Sequence, residues 1–308
     1  MEELGIQILK SAVSGLIMGL VFALVALGLT VIFGVMDIVN FAHGEFLMVG
    51  MYTTLLTSPL LGVDPVLTLP LAGLVGAVLG VMCYFGLIRF LLRGPMIAQL
   101  FGTFGLMIFL RNLALLFMGS EPRIIHEGWL VGKSILVGPG VVLESTKVAA
   151  AALSLISFAV VWWFINRTRV GKAITATSLD AEGARYMGIS TEYMNALAWA
   201  VGGASVGVAG GLLVNFWPVE PGVGLLFTMI AFATVALGGF GSVRGALVAG
   251  ILIGFIVNLP PVWDAILRSI DAAGLRGMEI HSFKYTMVYA VYFLIMVLRP
   301  QGLFGWKQ

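Results

Sequence analysis

Long apolar stretches alternate with short polar ones along the whole chain. Six of them, residues 8–35, 66–91, 96–118, 147–166, 194–217 and 283–298, reach or approach the roughly 20 apolar residues that a membrane-crossing helix needs. Three shorter stretches, 40–57, 223–240 and 245–260, either span or re-enter. The pattern predicts an all-α polytopic integral membrane protein with about 8–9 transmembrane or re-entrant helices, as one domain over residues 1–308.

Composition agrees with this pattern. Hydrophobic residues make up 60% of the chain and charged residues 10%, against roughly half and a quarter in soluble domains. The net charge of +2 gives nucleic acid no footing. The opening MEELG is acidic where a secretory leader would be basic, so no cleaved signal is expected. The 40 glycines are scattered among Leu, Val and Ala, which predicts close helix packing and not a flexible linker.

Three connections are polar. Residues 119–146 hold Glu121, Arg123, Glu127, Trp129, Lys133 and Glu144. Residues 262–281 hold Asp264, Arg268, Asp271, Arg276 and Glu279, and the apolar Ile266, Leu267 and Ile270 predict a short interfacial helix there. Residues 167–193 hold Arg167, Arg169, Lys172 and Arg185 against Asp180, Glu182 and Glu192. If all nine stretches span, that loop shares one side with Arg89, Arg93, Arg244, Arg299 and Lys307. The bias of basic residues makes this side cytoplasmic, with the N-terminus outside and the C-terminus inside.

The segment VNFAHGEFLMVGMY, residues 39–52, places Asn40, His43 and Glu45 between apolar neighbours. The first helix is interrupted at Gly34 and Asp37, and the next apolar piece begins at Phe46. The residues between are therefore expected at membrane depth, where polar groups face a partner or a cavity. Two readings stay open. In one, Asn40 and Glu45 cap helix ends and His43 bonds a neighbouring carbonyl. In the other, the break, with Gly44, lines a solute path and offers free N–H groups to an anionic group of the solute. A metal site is not expected: His43 and Glu45 are two residues apart, unlike the HExxH pair, and the other histidines are His126 and His281.

A second break is expected at GGFGSVRG, residues 238–245, with Gly239, Gly241 and Ser242. Its glycines lack the G-x-G-x-x-G spacing of a nucleotide loop. Each break precedes an apolar helix with a spaced glycine pair, Gly44 and Gly50, then Gly245 and Gly250. The two breaks are thus expected at related places in two halves of the bundle, as in a parallel repeat.

No phosphate-cradling loop is present. Gly171-Lys172 is followed by Ala173 and lacks the upstream glycine, and no G-x-S-x-G elbow occurs. The chain is therefore read as a transport subunit and not an enzyme, so any use of ATP requires a second protein.

The loop TRVGKAITATSLDAEGARYMGIS, residues 168–190, reads as two short helices joined near Leu179 and Asp180. Its EGARYMG stretch resembles the cytoplasmic E-A-A-x-x-x-G motif of ABC importer permeases. Glu182, Ala184 and Gly188 match, and Gly183 stands at the first alanine. The downstream I-x-L-P is absent, residues 197–200 reading LAWA. A short helix with small residues suits a groove on a partner, with Glu182 and Arg185 as polar contacts.

IVNFAHGEFLMVGMY (38–52), RVGKAITATSLDAEGARYMGIS (169–190), VALGGFGSVRGALVAGILIG (235–254) and VLRPQGLFG (297–305) together resemble branched-chain amino-acid ABC transporter permeases of the LivH type. The blocks stand in family order and cover nearly the whole chain. The resemblance implies a subunit of an ATP-driven importer in the cytoplasmic (inner) membrane of a prokaryote, surrounded by lipid. It implies four kinds of partner or ligand: a homologous second permease subunit, two cytoplasmic ABC ATPases carrying ATP and Mg, an extracytoplasmic substrate-binding protein, and the solute itself. No cofactor is expected on this chain. Leu, Ile and Val are the implied solutes, and close relatives carry urea or short amides. The rival from another class is a proton-coupled secondary transporter using Glu45.

Overall fold

The computed structural model describes residues 2–138, 141–262, 284–299 and 301–305. Its helices are α1 (Glu2–Met36), α2 (His43–Leu61), α3 (Leu69–Cys83), α4 (Arg89–Leu91), α5 (Met96–Met118), α6 (Ser145–Arg167), α7 (Arg169–Leu179), α8 (Ala181–Tyr186), α9 (Thr191–Leu213), α10 (Val223–Gly238), α11 (Val243–Val257) and α12 (Lys284–Leu298). A 3-10 turn, Pro65–Thr68, leads into α3, and a π turn, Tyr84–Ile88, joins α3 to α4. Among the described residues, six helical spans are long and apolar enough to cross a membrane: Gly5–Met36, Pro65–Leu91, Met96–Met118, Ser145–Arg167, Thr191–Leu213 and Val243–Val262. The all-α polytopic reading holds, with the shorter α2, α10 and α12 filling out the bundle. The interfacial helix expected around Ile266, Leu267 and Ile270 lies outside the described residues.

One connection departs from expectation. The polar stretch 119–146 contains a two-stranded antiparallel hairpin, β1 (Ser134–Gly138) and β2 (Val141–Glu144), with Ser134 opposite Glu144 and Ile135 opposite Leu143. Its short run of β-branched residues suits a pleated strand, and the polar residues around it hid the signal.

Glycines bring the main helices into backbone contact. Helix α1 runs antiparallel to α11, and a Cβ on Gly19 would stand 2.6 Å from the Ile251 Cα; one on Gly250 would stand 2.6 Å from the Ala23 Cα. Helix α9 is the hub. Gly202 meets Gly28 of α1, Gly203 meets the Gly76 carbonyl of α3, and Gly210 meets the Leu47 carbonyl of α2. Lipid is as apolar as leucine, so helices there associate by van der Waals packing, which is closest where side chains are smallest.

Both expected breaks are present. The first runs from Asp37, which has a left-handed φ of 52°, to the start of α2. The second runs between α10 and α11, with Gly239 and Gly241 at φ 97° and 76°. The two touch at one end of the bundle: the Phe33 and Phe240 rings lie 4.4 Å apart, and Gly34 packs on Gly241. Helix α1 packs on α11, and α2 on α10. Exchanging α1 with α10 and α2 with α11 leaves this pairing unchanged, as a parallel repeat requires. The tail closes the second break, since the Leu303 and Phe304 amides donate to the Leu237 and Gly238 carbonyls at 2.8 and 3.0 Å. These are carbonyls that the end of α10 leaves without intrahelical partners.

The packing predicts that Gly203→Leu lowers stability by about 1–3 kcal/mol or more, because the new side chain meets the α3 backbone. Gly105→Ala, with nothing within 4 Å, is expected to stay within about 0.5 kcal/mol of the parent. Thermal unfolding of the purified protein in detergent reads both.

Candidate functional site: a helix start buried in the bundle

The first break returns the chain into the bundle before α2 begins. The His43 Nε2–H donates to the Val25 carbonyl at 2.8 Å, and Val25 lies 11 residues before Met36, the end of α1. At 1.5 Å per residue, α2 therefore starts roughly 16 Å inward from that end. Helix α10 starts near the same depth. The Gly44 amide donates to Thr228 Oγ1 at 2.9 Å, and Thr228 donates to the Gly224 carbonyl at 2.9 Å. The N-termini of α2 and α10 thus converge and overlap inside the protein. Such ends carry positive potential and amides free of intrahelical partners.

Asn40, His43 and Glu45 are all fully buried. Asn40 Oδ1 accepts from the Ala42 amide at 3.0 Å, a turn that leads the chain into α2. Thr103 of α5 donates to the Val39 carbonyl at 3.0 Å, so the break is held from a third side. His43 therefore bonds a carbonyl as the capping reading expects, while Asn40 shapes the turn ahead of α2, whose N-cap residue Ala42 provides no side-chain cap. Glu45 does not cap either: neither carboxyl oxygen has a hydrogen-bond partner among the described residues. It sits in the first turn of α2, where the helix dipole favours it. The Gly44 amide is met instead by Thr228, a residue far away in sequence, and the His43 and Glu45 amides by the Asn40 and Ala42 carbonyls. The carboxyl group lies against Gly224, where a Cβ would come within 2.7 Å of Oε1. Gly44 is equally constrained, since a side chain there would strike the Gly224 carbonyl.

Gly239, Gly241 and Ser242 are not brought into this cluster. They lie at the end of the bundle, where Ser242 Oγ caps α11 by accepting from the Gly245 amide at 3.1 Å. Gly239 packs on Gly305 of the tail.

The E-A-A-like stretch forms α8 and its exit. Asp180 Oδ1 accepts from the Gly183 amide at 2.9 Å and starts the helix. The Gly188 amide donates to the Arg185 carbonyl and the Ile189 amide to the Ala184 carbonyl, both at 2.9 Å. With Gly188 at φ 81°, this is a Schellman end, so the motif glycine has a backbone role. Ala184 is buried, and Arg185 Nε donates to Thr191 Oγ1 at 2.9 Å. Glu182 is exposed.

Sequence reasoning missed two features. Leu179, Tyr186 and Met187 are 82%, 87% and 82% exposed around α8, an apolar rim that periodicity in so short a helix does not show. Arg111 is the lone charge inside α5, a signal that was legible. It lines a cavity of about 500 Å³ together with Met107, Ile108, Leu115, Glu220 and Gly222.

Residues 11–299 match the family described as "Branched-chain amino acid transport system / permease component". The chain is 30% identical over 324 residues to the high-affinity branched-chain amino acid transport system permease protein LivH of Escherichia coli K12, covering 99% of this chain and 98% of that one. It is 30% identical over 313 residues to the permease protein BraD of Pseudomonas aeruginosa, covering 96% and 95%. A weaker likeness, 28% over 240 residues, covers 72% of this chain and 67% of the autoinducer 2 import system permease protein LsrC of Salmonella paratyphi B. No solved structure matches the chain. A match that runs through both breaks and the α7–α8 loop, joined to near-complete coverage by LivH and BraD, places the chain in the family of permease components of branched-chain amino acid transport systems.

Proposed function

We propose that this chain is the permease subunit of an ATP-driven importer of branched-chain amino acids. It would sit in the cytoplasmic membrane with its N-terminus outside and its C-terminus inside. Beside it would stand a second permease subunit, two ABC ATPases holding ATP and Mg, and an extracytoplasmic binding protein. The names of LivH and BraD support the solute class. The observation that carries the reading is the pair of helix starts converging at depth beside an unpartnered carboxyl group. Discontinuous helices of this kind build solute paths in transporters.

The α7–α8 end supports an external engine. Its turn is rigid, capped at Asp180 and closed at Gly188, and it presents Leu179, Tyr186 and Met187 outward. Such side chains suit a groove on an ATPase. Helices α7 and α8 both pack on α9, and α7 also packs on α1. Motion imposed there reaches the two helices that carry the break.

Three outcomes follow from this reading. A double Tyr186→Asp, Met187→Asp variant is expected to lose co-purifying ATPase and uptake while keeping the parent unfolding temperature; retention of the ATPase at parent level removes the docking role. A cysteine placed at Leu179 is expected to react with a membrane-impermeant maleimide in inverted vesicles and not in intact cells, and the reverse labelling overturns the orientation. Glu45 separates the importer from the proton-coupled transporter, which its unpartnered carboxyl group also suits. Glu45→Gln replaces a buried ionisable group that hydrogen bonds do not satisfy by a neutral one of the same size, so the fold is expected to be no less stable. ATP-dependent uptake by the reconstituted complex is expected to persist in this variant. Uptake that runs without ATPase subunits, follows a pH gradient and disappears in Glu45→Gln selects the transporter instead.

A further inference from the structure

Arg111 stands seven residues before the end of the apolar α5, with Phe109, Leu113 and Leu115 exposed around it. A charged side chain on such a helix is costly against lipid and normally faces a cavity or a partner. Here it faces the cavity of about 500 Å³, within the range of small-molecule sites. Across that cavity stands Glu220, on the segment that leads into α10.

The two charges do not pair with each other. Among the described residues the ion pairs are Arg89–Glu192 and Lys147–Glu144. Both nonetheless flank one point: a Cβ on Gly222 would stand 3.2 Å from Arg111 Nη2 and 3.8 Å from Glu220 Oε1. The missing side chain at Gly222 keeps the space between the charges open. The rim is fixed by an antiparallel bridge, in which the Arg123 amide donates to the Val219 carbonyl at 2.9 Å and the Val219 amide returns a bond at 2.8 Å. The cavity also adjoins the buried helix start. Glu45 lies against Gly224, two residues beyond Gly222.

A cation and an anion flanking one open space match a solute bearing both charges on one carbon. The planar guanidinium suits a carboxylate, and a carboxylate suits an ammonium. Each charge also rejects the wrong solute: Glu220 repels a plain acid and Arg111 repels a plain amine, so discrimination comes from repulsion as well as attraction. Met107, Ile108 and Leu115 supply apolar wall for an aliphatic side chain. We infer that this cavity is a zwitterion-recognition site of the solute path, where Arg111 takes the α-carboxylate and Glu220 the α-ammonium of an amino acid. The assignment rests on the amino-acid importer reading and adds the residues that would enforce it.

Binding of tritiated leucine to the purified permease assembly in nanodiscs, read by scintillation proximity, tests the site without requiring transport. Millimolar unlabelled leucine is expected to displace the label, while 4-methylpentanoate and 3-methylbutylamine, which each lack one charge, are not. Arg111→Gln, Glu220→Gln and Gly222→Val are each expected to weaken binding about tenfold or more at unchanged unfolding temperature. The exchanged pair, Arg111→Glu with Glu220→Arg, is expected to bind better than either single charge reversal, which a purely structural role of the two residues does not produce. A parent that binds no leucine, Gln variants within about twofold of the parent, or either half-analogue competing as well as leucine overturns the site. A parent that binds leucine with this pattern but shows no ATP-driven uptake upholds the site and overturns the importer reading alone.

Discussion

A helix that begins inside a membrane bundle leaves its first amides without intrahelical partners, at a depth where lipid offers none. In this protein the constraint falls on α2. Thr228 of α10 meets the Gly44 amide, Asn40 of the break meets the Ala42 amide, and His43 is anchored on the Val25 carbonyl of α1. The partners come from separate elements, so α1, α2 and α10 must stand in one register for any of these bonds to form. That register demands very close approach, and Gly44 on Gly224 leaves no room for a side chain. The α9 glycines let the remaining neighbours, α1, α2 and α3, approach closely around the same helix.

Much of this was legible because a bilayer makes composition a strong signal. Every long apolar stretch became a helix, and the interruptions at Gly34–Asp37 and Gly239–Gly241 became breaks with left-handed residues at Asp37, Gly239 and Gly241. The start of α2 was less so. Polarity placed it at Phe46, yet the helix begins at His43, because the Val25 and Thr228 contacts satisfy a polar turn that sequence alone reads as loop. The capping expectation for Glu45 failed for a related reason. A local motif cannot show that the Gly44 amide is met by a hydroxyl 184 residues away. The hairpin at Ser134–Glu144 was lost because its two strands are too short to stand out from their polar surroundings.

The two sets of predicted site residues also have separate tasks, which spacing could not reveal. Asn40, His43, Gly44 and Glu45 sit at depth, while Gly239, Gly241 and Ser242 form a joint at the end of the bundle, sealed by the tail. The QGLFG tail has a physical role in this arrangement. Its amides occupy carbonyls of α10 that the glycine break exposes, so the tail supplies partners that the end of α10 lacks.

The interfaces differ in how they respond to force. Helix α9 meets α1, α2 and α3 through glycines. Surfaces of this kind interlock little, so small sliding movements of packed helices are the motion they allow. The start of α2 is different, because its hydrogen bonds run from side chain to backbone between elements and are either made or broken. Breaking one would leave a buried polar group unsatisfied, at roughly 1–3 kcal/mol. Motion entering through α7 and α8 should therefore be taken up first as sliding of α9 against its neighbours, with α1, the start of α2 and α10 moving as one body. In the importer reading, the cavity at Arg111 and Glu220 adjoins that body through Gly222 and Gly224.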